Sequence, residues 1–427
     1  MKKINIKISK KHFSKTIKLI PSASQTFSKS YKLFDKKFFP LFSKSGNKQF
    51  IKDLDGNNFL DFISGLGSVS IGYSIDKFNK SIMHALNRGI TFSLSHELEY
   101  IVAKELRKII SSAEMVKFGK NGTDVNSAAI RLARFHTRRS HIGVCGYHGW
   151  QDWYISSTTM NGGIPSDVSK YTHQIKFNDL KDLESKFNRF KFAAIMLEPL
   201  SFQLPSLKFL KKLKTLCKKN NTILIFDEIC TGFRVSLGGA QNLYGIKPDL
   251  STFGKAMGNG FPISAIVGKK KIMKDFDKIF YSGTFGGETL SLAACLFVIK
   301  YLKKNKTIKK NIAKGKYLIN SFNKLSKFYK LDNILSLQGH PSWPFLVIKN
   351  VPQNKQIKIK TYIMQEFALN KILFFGAFII NASHTKKDMR KVLNVSNITL
   401  KKLSLNLGSI EKILIAEPTK PLFKVRD

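Results

Sequence analysis

The hydrophobic positions along this chain follow two different periods. Residues 49–62, QFIKDLDGNNFLDF, alternate apolar and polar positions around Asp55-Gly56, a pattern that predicts a β-hairpin. From about residue 97 the period lengthens, and HELEYIVAKELRKII predicts an amphipathic helix. The chain then alternates helical stretches with short apolar runs, which lie at residues 115–118, 142–145, 192–197, 222–226 and 265–267.

Strands that alternate with helices predict an α/β fold with a mostly parallel sheet covered on both faces. From about residue 301 the helices and short strands follow one another in a looser order, which indicates a smaller α+β lobe. No internal repeat and no linker rich in Pro, Gly or Ser divides the 427 residues. We therefore expect one large sheet-containing domain and one smaller domain.

The charge suggests partners without identifying one. The formal net charge is +44, with 72 Lys and Arg against 28 Asp and Glu, which would suit a polyanion. However, the lysines are spread over the whole chain and accompany frequent Asn, Ile and Phe, as an A/T-rich genome would produce. No nucleic-acid-reading motif accompanies them, so we expect no nucleic-acid partner. A basic surface that attracts an acidic small substrate stays open.

The four cysteines lie far apart, with no CxxC pair and no metal-ligand spacing, so we expect buried thiols in a reducing cytoplasm and no metal site. No apolar run approaches the roughly 20 residues that a membrane helix needs. The basic start, MKKINIKISKKHFSK, lacks the apolar region of a secretory signal. These features predict a cytoplasmic protein without membrane spans.

Chemistry-bearing residues directly follow the predicted strands, where ligands bind in open α/β sheets. In chain order they are Asn121-Gly122-Thr123-Asp124, Tyr147-His148-Gly149, Glu198-Pro199, Asp227-Glu228 and Lys255. We treat them as one candidate site.

Most of these residues allow two interpretations. Gly122-Thr123 at a helix start is either a simple helix cap or a cradle for an anion, since the first N–H groups of a helix are free. Asp227 is either a cap or ion pair, or the partner of a protonated ring nitrogen. Tyr147 is either a core residue or an aromatic face against a ligand. His148 is equally ambiguous and could support a neighbouring ligand-binding residue.

Lys255 connects these features. It stands alone in DLSTFGKAMGNG, among small and apolar residues, where burial predicts a depressed pKa and a nucleophilic amine. A phosphate cradle, an aromatic face, a carboxylate for a ring nitrogen and an imine-forming lysine are together what pyridoxal phosphate requires. The site is therefore predicted to bind pyridoxal 5'-phosphate.

Several motifs in combination resemble the class III aminotransferases of the pyridoxal-phosphate-dependent fold type I, in the branch that includes glutamate-1-semialdehyde aminomutase. The resemblance runs from about Pro21 to Thr385. The motifs are NGTDVNSAAIRLAR, YHGW, LEP, FDEICTGFRVSLGGAQNLYGIKPDLSTFGKAMGNGFP and SGTFGGETLSLAA.

The resemblance implies a large cofactor-binding domain at residues 71–300 and a small domain built from residues 1–70 and 301–427. It implies that Lys255 carries the internal aldimine and that Asp227 pairs with the pyridine nitrogen. The family forms dimers with the active site at the interface, so we expect a homodimer. The residues predicted to contact the cofactor are Gly122, Thr123, Tyr147, His148, Asp227, Lys255 and, from the neighbouring subunit, Thr284.

The chain departs from the aminomutase on the substrate side. Where that enzyme has Asn-Ser-Pro-Val-Arg, this chain has QTFSK at residues 25–29, so Lys29 replaces a carboxylate-binding Arg. A lysine cannot reproduce the two-pronged contact of a guanidinium. Gly376 stands where the aminomutase has a Glu. The predicted substrate-side residues are Thr26, Lys29 and Glu198.

Three functions are compatible with these observations. The first is an aminotransferase that moves an amino group from a donor amino acid to a carbonyl acceptor, either a keto-sugar or a small aldehyde or keto acid, through a Lys255 Schiff base. The second is an intramolecular aminomutase. The third is a catalytically silent binding protein, which the retention of Lys255, Asp227 and the Gly-Thr cradle together disfavours.

Overall fold

The computed structural model describes residues 4–418, and the chain divides into two compact units. Among the described residues, the first unit comprises residues 4–66, 71–75 and 309–418, and the second comprises residues 67–70 and 76–308. Residues 1–3 and 419–427, which the predicted N- and C-terminal segments include, lie outside the described residues.

The helices and strands are numbered in chain order. The α-helices are α1 (Lys7–Leu19), α2 (Asp76–Leu86), α3 (Glu97–Ile109), α4 (Gly122–Thr137), α5 (Asp152–Ile155), α6 (Leu180–Arg189), α7 (Leu207–Lys219), α8 (Ala240–Tyr244), α9 (Lys270–Met273), α10 (Thr289–Lys304), α11 (Thr307–Phe328), α12 (Gln353–Leu369) and α13 (Lys386–Leu405). The strands are β1 (Ser43–Asn47), β2 (Phe50–Asp53), β3 (Asn58–Asp61), β4 (Met115–Gly119), β5 (His141–Cys145), β6 (Thr172–Gln174), β7 (Phe192–Leu197), β8 (Ile223–Asp227), β9 (Leu250–Phe253), β10 (Ser264–Gly268), β11 (Leu335–Gln338), β12 (Phe345–Ile348) and β13 (Ile372–Leu373).

The second unit is built around a seven-stranded sheet in the order β4-β10-β9-β8-β7-β5-β6. Strands β9, β8, β7, β5 and β6 are parallel, and β10 is antiparallel to both β4 and β9. Each predicted apolar run corresponds to one of these strands, and the prediction of an α/β fold with a mostly parallel sheet is confirmed. The short strand β6 is not marked by an apolar run, because only three residues of it pair with β5.

Every residue of β7 and of β8 is buried. Alternate residues face opposite sides: Val144, Met196 and Ile225 pack with α4, while Cys145, Leu197 and Phe226 pack with α6 and α7. Because both faces are covered, these strands are continuously apolar rather than alternating.

The first unit contains the sheet β1-β2-β3-β13, in which the first three strands are antiparallel and β13 runs parallel to β3. The turn between β2 and β3 lies at the predicted Asp55-Gly56, where Gly56 has a φ of 84°. Strands β11 and β12 form a separate hairpin. The core of this unit is rich in phenylalanine, with Phe59, Phe62, Phe367 and Phe378 in one cluster.

Candidate active site

The carboxyl ends of the parallel strands bring the predicted residues to one edge of the sheet. Strand β8 ends at Asp227, and Asp227 pairs in register with Thr252 of β9, three residues before Lys255. Glu198 follows β7, and its backbone N–H donates to the carbonyl of Cys145 at the end of β5. This is the edge at which ligands bind in α/β sheets.

Asp227 is held by a buried network. Its Oδ2 accepts a hydrogen bond from Nδ2 of Asn126 at 2.8 Å and lies 2.8 Å from Nδ1 of His148. Its Oδ1 accepts the N–H of Ile229 at 3.2 Å. Asn126 in turn accepts the hydroxyl of Thr252 at 2.7 Å. These contacts compensate the cost of burying the carboxylate and fix its orientation.

His148 reaches Asp227 with one ring nitrogen only. The residue is 1% exposed, and its Nε2 is buried with no hydrogen-bond partner within residues 4–418. The contact with Asp227 agrees with the interpretation of His148 as a residue that supports its neighbour. An unsatisfied buried ring nitrogen is rare and indicates that a further group belongs at this site.

The start of α4 carries a second unsatisfied atom. Oγ1 of Thr123 is buried, and nothing in the described part of the chain forms a hydrogen bond with it. A Cβ atom on Gly149, whose φ is 112°, would collide with this hydroxyl, and a Cβ on Gly122 would lie 2.5 Å from Cδ1 of Ile229. Glycine at both positions therefore leaves the helix start accessible, as an anion cradle requires.

Lys255 follows Gly254 at the end of β9 and adopts the left-handed conformation, with a φ of 45°. This conformation is costly for a residue with a side chain and marks a constrained position. Nζ of Lys255 donates a hydrogen bond to Sγ of Cys230 at 2.7 Å. The amine of Lys255 therefore has a hydrogen-bond partner in the thiol of Cys230, which the small and apolar residues beside it in the sequence do not indicate.

The prediction that the pKa of Lys255 is depressed is wrong. Burial lowers the pKa, but Cys230, Glu198 and Asp227 surround the amine and together raise the pKa above its ordinary value. Negative groups near an ammonium favour its charged form. The sequence shows the small residues beside Lys255 along the chain, whereas the acidic groups approach it only in the folded protein.

Glu198 positions the loop after β5. Its Oε2 accepts the backbone N–H of Tyr147 at 2.8 Å, and a Cβ on Gly146 would lie 2.5 Å from the same oxygen. Burial raises the pKa of Glu198, and the nearby charge of Asp227 raises it further. The ring of Tyr147 is about half exposed and contacts the ring of Tyr154 edge to face.

Three predicted residues are not brought to this cluster by the contacts within the second unit. Thr284 is exposed in the segment before α10, where it lines a separate cavity of about 420 Å³. Thr26 and Lys29 belong to the first unit, in which Lys29 is exposed and lines a cavity of about 280 Å³.

Gly376 also belongs to the first unit and has a φ of 112°. The left-handed region favours glycine, and a Cβ here would lie 3.0 Å from Cε of Lys360. The missing side chain at this position is therefore required by the backbone.

Sequence reasoning missed three residues of the site: Asn126, Cys230 and Thr252. Asn126 lies one helical turn after Gly122, a spacing that could have placed both on one face of α4. The expectation of buried thiols is correct for Cys145, Cys217 and Cys295 but not for Cys230, which is only partly buried.

Known proteins resemble the chain over nearly its whole length. The family described as aminotransferase class-III matches residues 33–340. The 3-aminobutyryl-CoA aminotransferase of Cloacimonas acidaminovorans is 30% identical over 424 residues, which cover 96% of this chain and 99% of the relative. The glutamate-1-semialdehyde 2,1-aminomutase of Wigglesworthia glossinidia brevipalpis is 31% identical over 427 residues, covering 92% and 98%.

Solved structures share the fold. The FumI protein of Sphingopyxis sp. MTA144 has a TM-score of 0.88 at 23% identity, covering 96% of this chain and 98% of that one. The glutamate-1-semialdehyde aminomutase of Pseudomonas aeruginosa PAO1 has a TM-score of 0.82 at 17% identity, covering 93% and 94%.

The chain belongs to the class III aminotransferases, and the predicted family is confirmed. Members of this family are pyridoxal-phosphate-dependent enzymes of fold type I, so the predicted enzyme class and cofactor are confirmed as well. The site fits that cofactor, because two buried polar atoms, Oγ1 of Thr123 and Nε2 of His148, lack partners among the described residues.

Proposed function

We propose that the residues at the carboxyl edge of the second unit hold pyridoxal phosphate, and that the enzyme transfers an amino group from a donor amino acid to a carbonyl acceptor. The observation that carries this proposal is the buried carboxylate of Asp227, fixed by His148 and Asn126 beside a lysine. The unsatisfied hydroxyl of Thr123 supports it independently.

Each residue has one role toward the cofactor. Gly122 and Thr123 would bind its phosphate at the start of α4, where the helix dipole favours a negative charge. Asp227 would pair with the ring nitrogen, Tyr147 would lie against the ring, and Lys255 would provide the covalent attachment. His148 would support Asp227 and complete the pocket. When bound, the cofactor acts as an electron sink for the carbon that carries the transferred amine.

Asn126 and His148 hydrogen-bond with the carboxyl group of Asp227 and would keep it oriented toward the ring nitrogen of the cofactor. Nζ of Lys255 would remove the proton from the substrate carbon as a general base and deliver it later in the transfer as a general acid. Glu198 holds the backbone of Tyr147 and thereby the position of its ring.

The substrates proposed are a donor amino acid and an acceptor that is a keto-sugar or a small aldehyde or keto acid. The net charge of +44 favours an anionic acceptor through long-range attraction. Because the Cloacimonas relative is named for 3-aminobutyryl-CoA, an amino-bearing coenzyme A thioester is a further amino donor to test. Thr26 and Lys29 are proposed to contact the substrate.

Aminomutase activity is the second candidate, favoured by the likeness to the Wigglesworthia aminomutase. The substrate side argues against it. Lys29 offers one point charge where a guanidinium would hold orientation. A glutamate at the position of Gly376 would require a left-handed backbone. An aminomutase must retain its intermediate, so loss of a firm carboxylate clamp costs it more than an aminotransferase.

The chain is further proposed to act in the cytoplasm as a homodimer with shared active sites and without a nucleic-acid partner. Thr284 would then reach the phosphate bound by the neighbouring subunit. No helix among residues 4–418 is long and apolar enough to cross a membrane.

The proposed function is tested by an amino-donor and acceptor screen on the purified protein, with visible absorbance to follow the cofactor. We expect a yellow protein whose absorbance changes when a donor amino acid is added and recovers when an acceptor is added. A second reaction supplies glutamate-1-semialdehyde without any donor and measures 5-aminolevulinate. Turnover there comparable to the best donor–acceptor pair would overturn the aminotransferase and establish the aminomutase.

If the protein binds pyridoxal phosphate at Lys255 but no donor changes its absorbance, the silent binding protein is the correct alternative. Lys255→Ala serves as the control in every reaction, because it keeps the cradle and Asp227 while removing the amine.

A further inference from the structure

Cys230 differs from the other cysteines of the chain. Cys145, Cys217 and Cys295 are buried, whereas Cys230 is partly buried and its Sγ lies 2.7 Å from Nζ of Lys255. We propose that Cys230 is a positioning residue for Lys255, and that its thiol holds the amine in place until the cofactor binds. This inference rests on the proposed role of Lys255 as the attachment lysine.

The backbone around Cys230 is held by several hydrogen bonds. Nε of the buried Arg234 donates to the carbonyl of Cys230 at 3.0 Å, and another guanidinium nitrogen of Arg234 donates to the carbonyl of Gly67. The N–H of Gly232 donates to the carbonyl of Glu228 at 2.7 Å. Cys230 is therefore part of a rigid turn that begins directly after β8.

Lys255 also lies at a constrained position, because a left-handed backbone is costly for a residue with a side chain. Nζ of Lys255 and Sγ of Cys230, which lie on separate turns, are 2.7 Å apart. A cysteine that only filled space would not need its sulfur aligned with the amine.

The charged and titratable groups near this pair are Tyr147, Glu198, Asp227 and, beside Cys230, Arg234. Burial raises the pKa of Cys230, while the ammonium of Lys255 lowers it. In turn Cys230 contributes to the raised pKa of Lys255. Because only the neutral amine attacks a carbonyl, the contact with Cys230 shifts the pH range of cofactor attachment upward.

The test uses the cofactor-free protein. Pyridoxal phosphate is added over a range of pH, attachment is followed by visible absorbance, and borohydride-trapped Lys255 is quantified by peptide mapping. We expect Cys230→Ala to shift the midpoint of the pH profile downward by roughly half to one unit, which makes attachment at pH 7 about threefold to tenfold faster. Cys230→Ser, which restores a hydrogen-bonding group, should restore part of the wild-type profile.

Cys217→Ala is the matched control, because it removes a buried thiol of the same unit that lies on α7 and packs in the core between this helix and the sheet rather than against Lys255. Its profile should match that of the wild type. A Cys230→Ala profile that superimposes on the wild type would overturn the inference while leaving the attachment lysine intact. Failure of the wild type to trap the cofactor at Lys255 would instead overturn the proposed function.

A second measurement does not depend on the stability of a Cys230 variant. Iodoacetamide is added to the cofactor-free wild type and to Lys255→Ala at pH 8, and the alkylation of Cys230 is measured by mass spectrometry. Removing the ammonium should raise the pKa of the thiol and slow its alkylation by roughly threefold or more. Equal rates in the two proteins would contradict the pairing.

Discussion

Two buried aspartates, one in each unit, end strands of similar sequence. Asp61 is the last residue of β3 in the first unit, and Asp227 is the last residue of β8 in the second. Both follow apolar residues, both are at most 3% exposed, and both accept hydrogen bonds from neighbouring donors. The sequence patterns FLDF and IFDE do not distinguish them.

The difference lies in what surrounds each carboxylate. Asp61 accepts the hydroxyl of Tyr73 at 2.6 Å and the N–H groups of Ile63 and Ser64 at 2.7 and 3.0 Å. Each of these three donors therefore has an acceptor. Around Asp227 the network includes His148, whose second ring nitrogen has no partner within the described residues. Asp227 also contributes to the raised pKa of a nearby lysine, Lys255.

This comparison indicates how a structural carboxylate differs from one that we propose to contact a ligand. A completed network stabilises a fold, whereas a network with an unsatisfied buried atom and a nearby reactive group is expected to gain something on binding. Four changes test the distinction.

The largest expected effect is that of Lys255→Ala. The variant should lose covalent cofactor attachment and turnover entirely, because the amine is the proposed attachment point and distinguishes the surroundings of Asp227 from those of Asp61. Borohydride reduction and peptide mapping of the wild type should label Lys255. Lys271→Ala, at an exposed lysine of the same unit, is the control. A label on any other lysine would refute the assignment.

Asp227→Asn should bind pyridoxal phosphate but lose ~10²-fold or more in turnover, the scale of removing one preorganised electrostatic partner. An asparagine occupies the same space, but it cannot keep the ring nitrogen protonated. Steady-state kinetics with the best donor and acceptor measure the loss. Turnover near that of the wild type would mean that Asp227 is as structural as Asp61.

The third change tests whether residues of one chain or of two chains form the site around Asp227. Mixing Lys255→Ala with Thr284→Ala protein should return activity at about a quarter of the sites, since half the dimers are mixed and each has one intact site. Each variant alone is the control. Activity that stays at the level of the parents would show that Thr284 acts within its own chain.

Asp61→Asn should lower the free energy of unfolding by about 1–3 kcal/mol, because one buried donor loses its acceptor. Turnover per folded molecule should stay near that of the wild type. Thermal unfolding and kinetics measured on the same preparation check both. A large loss of turnover at full stability would break the contrast with Asp227.

The same variant has a pH dependence of known sign. Burial raises the pKa of Asp61, so the folded state binds the proton more tightly than the unfolded state does. Wild-type stability from this group is therefore full below the ordinary pKa of 3.8 and falls as the pH rises through the raised pKa. The deficit of Asp61→Asn should be larger near pH 4 than at pH 8.

Much of the fold follows from local patterns. The apolar runs identified the main strands of the second unit, and the Asp55-Gly56 turn identified a hairpin of the first, because side-chain periodicity and turn geometry depend on near neighbours. The insertion of β10 between β4 and β9 could not be predicted in this way. Strand order depends on pairing between segments far apart in the chain.

The sequence by itself determined the family, the cofactor and the small set of residues that follow the strands, because spacing and residue type are local properties. Only the tertiary structure decided that Asn126 and His148 hold Asp227, and that the thiol of Cys230 binds Lys255. The tertiary structure also decided that the pKa of Lys255 is raised. A pKa depends on charges within a few ångströms, and the groups that raise this one lie 25 or more residues away along the chain.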